Sequence, residues 1–211
     1  MIRIVIADDH AIVREGLKRI VSSGGDLELV AEAADGTEVM QRVRECEFDV
    51  LVLDLSMPGR SGMELIKLVK AEKPKLRILV LSMHQEMQYA VRAIKSGASG
   101  YLTKESAPAQ LEQAIRKIAG GGAYISAEVA EQLALGAMPG AQAAPHEGLS
   151  DREFDVLRRL AAGESVTDIT GGLNLSVKTV STHKANGMAK LGLGNQSELV
   201  RYALKHGLIE E

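Results

Sequence analysis

Ile2-Arg-Ile-Val-Ile-Ala-Asp8-Asp9-His10 is an apolar run, broken only by Arg3, that stops on two carboxylates and an imidazole. A near-continuous apolar run of this length reads as a strand covered on both faces, the signature of a parallel sheet. Runs of the same kind follow at residues 27–31, 50–53 and 78–81, with a weaker one at 100–102. Between them the apolar period changes to that of a helix. Ile12, Val13, Leu17, Ile20 and Val21 mark one such stretch, and Val39, Met40 and Val43 the next. Leu65, Ile66 and Val69, then Ala90, Val91 and Ile94, then Leu111, Ile115 and Ile118 mark three more. Five strands alternating with five helices predict an α/β domain over residues 1–122, a (βα)5 doubly wound parallel sheet. Ligands of such sheets sit beyond the carboxyl ends of the strands.

The rest of the chain reads differently. Gly120-Gly121-Gly122 closes the fifth helix, and a short helix is predicted over residues 127–135. Residues 136–148 are rich in Gly, Ala and Pro, so 123–148 reads as a linker carrying one short helix. From Leu149 the pattern is helical to the end. Ser150 and Glu153 form a capping box before Val156, Leu157, Leu160 and Ala161. A short second helix spans 166–173, Asn174-Leu175 is a turn, and Ser176 caps a third helix over 177–191. A fourth covers 197–206. Two helices joined by a tight turn within an all-α four-helix unit, residues 149–211, read as helix-turn-helix.

Composition narrows the functional classes. The chain has 211 residues, 45% hydrophobic and 25% charged, which excludes a disordered, collagenous or disulfide-stapled protein. A net charge of −3 is not that of a general polyanion binder, and 3% aromatics with no Trp argue against a base-stacking platform. One cysteine, Cys46, fits a reducing, cytoplasmic setting. No signal peptide and no run of 18 apolar residues is visible, so no membrane is expected.

The chemistry lies at the strand ends. Asp8 and Asp9 follow the first strand, Asp54 the third and Lys104 the fifth. A parallel sheet brings those ends to one edge, where three close carboxylates call for a hard cation, with Mg²⁺ the natural candidate. A carboxylate beside Mg²⁺ and a lysine can act as nucleophile toward a phosphoryl group. A single Asp after a strand is weak evidence; Asp35 before Gly36 reads as a helix cap or loop residue. A first-turn surface position is the simpler reading of His10.

Asp8-Asp9-His10, Asp54-Leu-Ser-Met-Pro58 with Gly62, Ser82 and Tyr101-Leu-Thr-Lys104 together resemble the receiver domain of bacterial two-component response regulators. The resemblance implies that Asp54 is the phosphoacceptor. Asp8, Asp9, Asp54 and the Ser56 backbone carbonyl would hold Mg²⁺, Lys104 would pair with the phosphoryl group, and Ser82 and Tyr101 would form the switch pair. Ser56 and His84 would tune dephosphorylation. Such a protein is no classical enzyme, only a phosphoacceptor with Mg²⁺-dependent self-phosphorylation and dephosphorylation. A haloacid-dehalogenase-type phosphatase needs a second Asp two residues after the nucleophile, where Ser56 stands. Glu105 replaces the proline common after the lysine, so no cis bond is expected there.

Leu175-Ser-Val-Lys-Thr-Val-Ser-Thr-His-Lys-Ala-Asn-Gly-Met-Ala-Lys-Leu-Gly resembles a LuxR-type recognition helix, and the combination resembles the NarL/FixJ class. Residues 149–211 hold eight Lys and Arg against eight Asp and Glu, yet residues 176–190 hold Lys178, Lys184, Lys190 and no acid. A wholly basic helix after a helix-turn signature reads as a phosphate-facing surface. Lys178, Thr179, Lys184 and Lys190 would position the backbone of double-stranded DNA, and Ser181, Thr182 and Ala185 would face base edges. The implied partners are a sensor histidine kinase, DNA bound by a homodimer, and RNA polymerase. The alternative is a phosphorylation-independent DNA-binding regulator that uses the receiver for dimerisation. Gly171, Gly172 and Gly187 depart from the family pattern, and the missing side chain at Gly187 predicts a cavity under the recognition helix.

Overall fold

Apolar runs become strands where both faces can be covered. Here they form β1 (Ile2–Ala7), β2 (Leu27–Ala33), β3 (Val50–Asp54), β4 (Arg77–Ser82) and β5 (Gly100–Thr103). The computed structural model describes residues 1–57, 62–83, 87–137, 144–173 and 175–209. The strands pair in parallel in the order β2-β1-β3-β4-β5. The helices between them are α1 (Ala11–Ser23), α2 (Gly36–Glu45), α3 (Gly62–Glu72), α4 (Met87–Lys95) and α5 (Ala107–Ala119). One face of the sheet presents Ile4, Ile6, Val50, Val52, Leu79 and Leu81 to Leu17 and Val21 of α1 and Leu111, Ile115 and Ile118 of α5. By the pleat, Val5, Leu51, Leu53, Ile78 and Val80 face the other way, and all are fully buried. The doubly wound α/β class predicted from the sequence is the one observed.

The crossovers run to opposite sides at β1: β2 lies on one flank and β3 on the other. A crevice therefore opens over the carboxyl ends of β1 and β3. Local sequence fixes the surrounding turns. Asp35 caps α2, its side chain accepting the Thr37 and Glu38 backbone N–H groups. Gly62 starts α3 hard against the segment after Asp54: a Cβ there would lie 2.6 Å from Leu55 Cα. Only glycine lets the two backbones approach so closely.

The chain divides into two compact units, residues 1–132 and 133–211. A helix, α6, runs over Ala127–Gly136. The second unit holds a 3-10 helix at Pro145–Gly148, then α7 (Asp151–Ala161), α8 (Val166–Leu173), α9 (Val177–Leu191) and α10 (Gln196–Lys205). The capping box at Ser150 and Glu153 forms in full, and Ser176 caps α9 through the Thr179 N–H. Asn174, at the predicted turn, lies outside the described residues, as do 138–143 of the predicted linker.

Within the stretch read as a linker, His146 is buried, and its Nδ1 is 3.1 Å from Tyr202 Oη on α10. One expectation is corrected. The gap expected at Gly187 is closed. A Cβ on Gly187 would stand 2.7 Å from Leu157 Cδ1 and 3.1 Å from Leu157 Cγ. The missing side chain lets α9 lie directly on α7, so it marks a close approach rather than a cavity.

Candidate functional site

Asp8 follows β1, and its N–H donates to the Ala33 carbonyl at 3.1 Å, so the strand's pairing continues to the carboxylate. Asp54 is the last residue of β3, and Ser82 the last of β4. The Lys104 N–H donates to the Ser82 carbonyl at 2.8 Å, which brings the lysine to the same edge. Asp8, Asp54 and Ser82 are fully buried. Lys104, with only 10% of its side chain exposed, places Nζ 2.8 Å from Asp54 Oδ2 and 2.6 Å from Asp8 Oδ2. The Ser56 N–H donates to Asp54 Oδ1 at 3.0 Å.

These contacts set the charges. Burial pushes the Asp54 carboxyl above its usual range, and the Lys104 ammonium and Ser56 N–H offset this only in part. Burial pulls the Lys104 ammonium down, but its hydrogen bonds to Asp54 and Asp8 outweigh this and hold it above the usual lysine value. One ammonium thus serves two buried carboxylates, with Asp9 close by. Asp9 Oδ1 is buried and accepts no hydrogen bond among the described residues. Ligand atoms of Asp8, Asp9, His10 and Asp54 all lie within 4.8 Å of one another. Excess negative charge, a buried acceptor without a donor and converging carboxylate oxygens fit a hard divalent cation.

Ser82 and Tyr101 occupy neighbouring strands. The register sets Val80 against Tyr101 and Ser82 against Thr103, so Ser82 and the half-buried Tyr101 share one face of the sheet, two residues apart. His84 lies outside the described residues.

Two residues near the pocket were not singled out for it by sequence reasoning. His10, read as a surface histidine, is indeed exposed, but its Nδ1 stands 2.9 Å from Asp9 Oδ1 and 3.3 Å from Asp8 Oδ1. Arg14 donates from Nη1 to the Asp8 carbonyl at 2.6 Å and pairs with Glu32. Its place one helical turn after His10 was the only available signal.

In the second unit, α9 buries Val180, Gly187 and Met188. Lys178, Ser181, Thr182 and Ala185 are exposed on the far side, while Thr179 and Lys184 are half-buried. Some of these groups are occupied. Thr182 Oγ1 donates to the Lys178 carbonyl at 2.9 Å, and the Thr179 hydroxyl meets Ser176 Oγ at 2.8 Å. Lys190 stands apart: its Nζ lies 2.7 Å from Oε2 of Glu153, the N3 residue of the α7 capping box. Burial would raise the Glu153 carboxyl, but hydrogen bonds from Lys190 and Ser150 outweigh it and hold the carboxyl below its usual range.

A doubly wound sheet with an acidic pocket, joined to a helix-turn-helix unit, defines a two-part regulator. Residues 4–116 match the response regulator receiver domain, and residues 147–203 match the bacterial regulatory proteins of the luxR family. The chain belongs to the response regulators that combine a receiver with a LuxR-type domain, a family of DNA-binding transcription regulators rather than classical enzymes. It is 41% identical over 216 residues to the oxygen regulatory protein NreC of Staphylococcus epidermidis, covering 99% of both chains. Among solved structures it resembles the RcsB response regulator of Salmonella typhimurium, with TM-score 0.70, 31% identity, and 95% of this chain and 96% of that one covered. RcsB from Salmonella enterica serovar Typhimurium bound to the promoter rprA in the presence of phosphomimetic BeF3⁻ matches with TM-score 0.64 and 32% identity, over 96% and 98% of the two chains. No described helix is long and apolar enough to cross a membrane.

Proposed function

We propose that Asp54 accepts a phosphoryl group from the phosphohistidine of a sensor kinase, and that the modified receiver controls DNA binding by the C-terminal unit. The observation that carries this reading is the Lys104 ammonium held between Asp54 Oδ2 and Asp8 Oδ2 in a buried crevice. An Asp54 carboxylate oxygen attacks phosphorus, the phosphorus–nitrogen bond of the donor breaks, and the leaving imidazole takes a proton. Asp8, Asp9 and Asp54, with the Ser56 carbonyl, would hold Mg²⁺, which supplies charge neutralisation on the phosphoryl oxygens. Lys104 is positioned to follow the new negative charge, since its ammonium already lies on the accepting carboxylate. The Ser82 hydroxyl, on the same sheet edge, offers a donor to a phosphoryl oxygen. Tyr101, on the same face, would respond to its movement. A new dianion recruiting donors and biasing a two-state surface is the general logic of phosphorylation switches. His84 would border the phosphoryl group and tune its hydrolysis.

The domain limits 1–122, 123–148 and 149–211 separate these roles. The C-terminal unit would bind double-stranded DNA as a homodimer, with Lys178 and Lys184 on phosphates and Ser181, Thr182 and Ala185 toward base edges, and could then engage RNA polymerase. NreC and RcsB, the relatives named above, support a regulator of this type.

The test is DNA binding by wild type and Asp54→Ala on selected random duplexes, with and without acetyl phosphate and Mg²⁺. Tightening confined to wild type, with phosphate incorporation lost in Asp54→Ala, supports the proposal. Equal binding by both proteins under all conditions overturns it in favour of a phosphorylation-independent regulator.

A further inference from the structure

β5 is the last strand of the sheet, so one of its edges faces no other strand. The chain returns to that edge after α5. Gly100 and Tyr124 form a parallel bridge one residue long. The Tyr124 N–H donates to the Ser99 carbonyl at 3.1 Å, and the Tyr101 N–H donates to the Tyr124 carbonyl at 2.8 Å. Glycine permits the approach: a Cβ on Gly100 would stand 3.0 Å from the Tyr124 carbonyl oxygen and 3.1 Å from Tyr124 Cβ. The Tyr124 side chain anchors the bridge. Its half-buried ring packs on the core shared by the sheet, α1 and α5. Its hydroxyl donates to Gln110 Oε1 at 2.9 Å, and Lys117 Nζ lies 5.7 Å from the ring centroid.

Sealing a sheet edge would explain the bridge alone. What lies on either side of it points further. On β5 the bridge takes the N–H of Tyr101, and three residues later Lys104 places its ammonium on Asp54 and Asp8. Beyond the bridge α6 begins at Ala127, so only Ile125 and Ser126 separate the two. α6 buries Val129 and continues past Gln132, where the chain divides into its two units. We propose that Tyr124 is a positioning residue: its clasp on β5 ties α6 to the strand carrying Tyr101, with Lys104 just beyond it, and a phosphoryl group on Asp54 acts on DNA binding through that clasp. This rests on the reading that phosphorylation of Asp54 controls DNA binding. A dianion on Asp54 draws on Lys104, and a shift of β5 re-aims the hydrogen bond from Tyr101 to Tyr124. A pairing one residue long has no second rung to compensate, so the clasp is either closed or open. That is the two-state element that coupling between sites requires.

The test uses the full chain as wild type, Tyr124→Ala, Tyr124→Phe and Gly100→Ala. Each is treated with acetyl phosphate and Mg²⁺, and phosphate incorporation is measured beside DNA binding on one selected duplex with and without the treatment. Phosphorylation should tighten wild-type binding about 5- to 150-fold, the usual range for coupled sites. Tyr124→Ala removes the anchoring ring, and Gly100→Ala pushes a methyl into the clasp from the strand. Both should incorporate phosphate within about twofold of wild type yet gain at most about twofold in DNA affinity. Tyr124→Phe keeps the ring and should restore the wild-type gain. The Tyr101 amide should exchange faster in the two clasp variants, which reports the open clasp. A wild-type gain in either clasp variant, with a fast-exchanging Tyr101 amide, overturns the proposal and leaves the clasp as an edge seal. Phosphate incorporation lost in step with the gain also overturns it, since the clasp would then serve the acceptor site itself. No gain in wild type, although phosphate is incorporated, overturns phosphorylation control and this proposal with it.

Discussion

Replacing Lys190 by Met separates two roles that charge alone does not distinguish. Lys190 Nζ lies 2.7 Å from Glu153 Oε2, and the side chains are 48% and 7% exposed. An exposed pair contributes about 0–1 kcal/mol. Breaking a fully buried pair costs about 3–5 kcal/mol, because a charge is left without its partner. Here one partner is buried and the other half-exposed, so the loss should be about 1–2 kcal/mol, scaled down for solvent screening of the lysine. In a unit of this size that lowers the midpoint by roughly 5–12 °C. The sign with pH follows from Glu153. Its folded carboxyl lies below the usual range, so the stabilisation is full above the unfolded value and is lost as pH falls through the lower folded one. The gap between wild type and Lys190→Met should therefore persist at neutral pH and close only in acid. The assay is amide hydrogen exchange of α7 and α9 in the whole chain, run beside DNA binding at several salt concentrations. Lys190→Met should leave the salt slope unchanged, whereas Lys178→Ala should reduce it by about 0.9, the value for one phosphate contact. Unchanged exchange together with a slope reduced as in Lys178→Ala would refute the tether and make Lys190 a phosphate contact.

The two glycine contacts give opposite expectations from those of an open site. Gly187→Ala gains about 1 kcal/mol of helix propensity but drives a methyl into Leu157, at a cost of about 1–3 kcal/mol. Chemical denaturation should show a net loss near 1 kcal/mol; a gain of that size would mean that α9 stands off α7. Gly62→Ala should cost about 2 kcal/mol, because the new methyl meets Leu55 backbone atoms that cannot rotate away. Faster exchange confined to β3 and α3 would be the signature, and wild-type exchange there would contradict it.

The sheet was legible because the middle of each central strand is an unbroken apolar run, a pattern that burial on both faces requires. β5 was the weak case. Gly100 and Tyr101 carry little strand signal, and the reason for the glycine is tertiary: a Cβ there would stand 3.0 Å from both the Tyr124 carbonyl and Leu79 Cδ1. The pocket was legible because chain direction in a parallel sheet brings residues at strand ends together, whatever their separation in sequence. The end of the predicted linker was not. His146 is buried by Tyr202, whose phenol burial pushes above its usual range, and no local pattern links positions 56 residues apart.

The same limit governs the recognition helix. Counted along the chain, Lys178, Lys184 and Lys190 are equivalent, and they make the helix uniformly basic. Folded, they are not. Glu153 lies 37 residues before Lys190 and had a sufficient local role in the α7 capping box, so nothing in the sequence assigned it a second partner. Lys190 is paired there, while Lys178 lies in the first turn of α9 and Lys184 at its middle. Ser181, Thr182 and Ala185 occupy the same two turns. The N-terminal residues of a recognition helix are those that reach base edges in the major groove. On the proposed reading, the far end of α9, held to α7 by Lys190 and by the contact at Gly187, would be the rigid mount for the end that faces DNA.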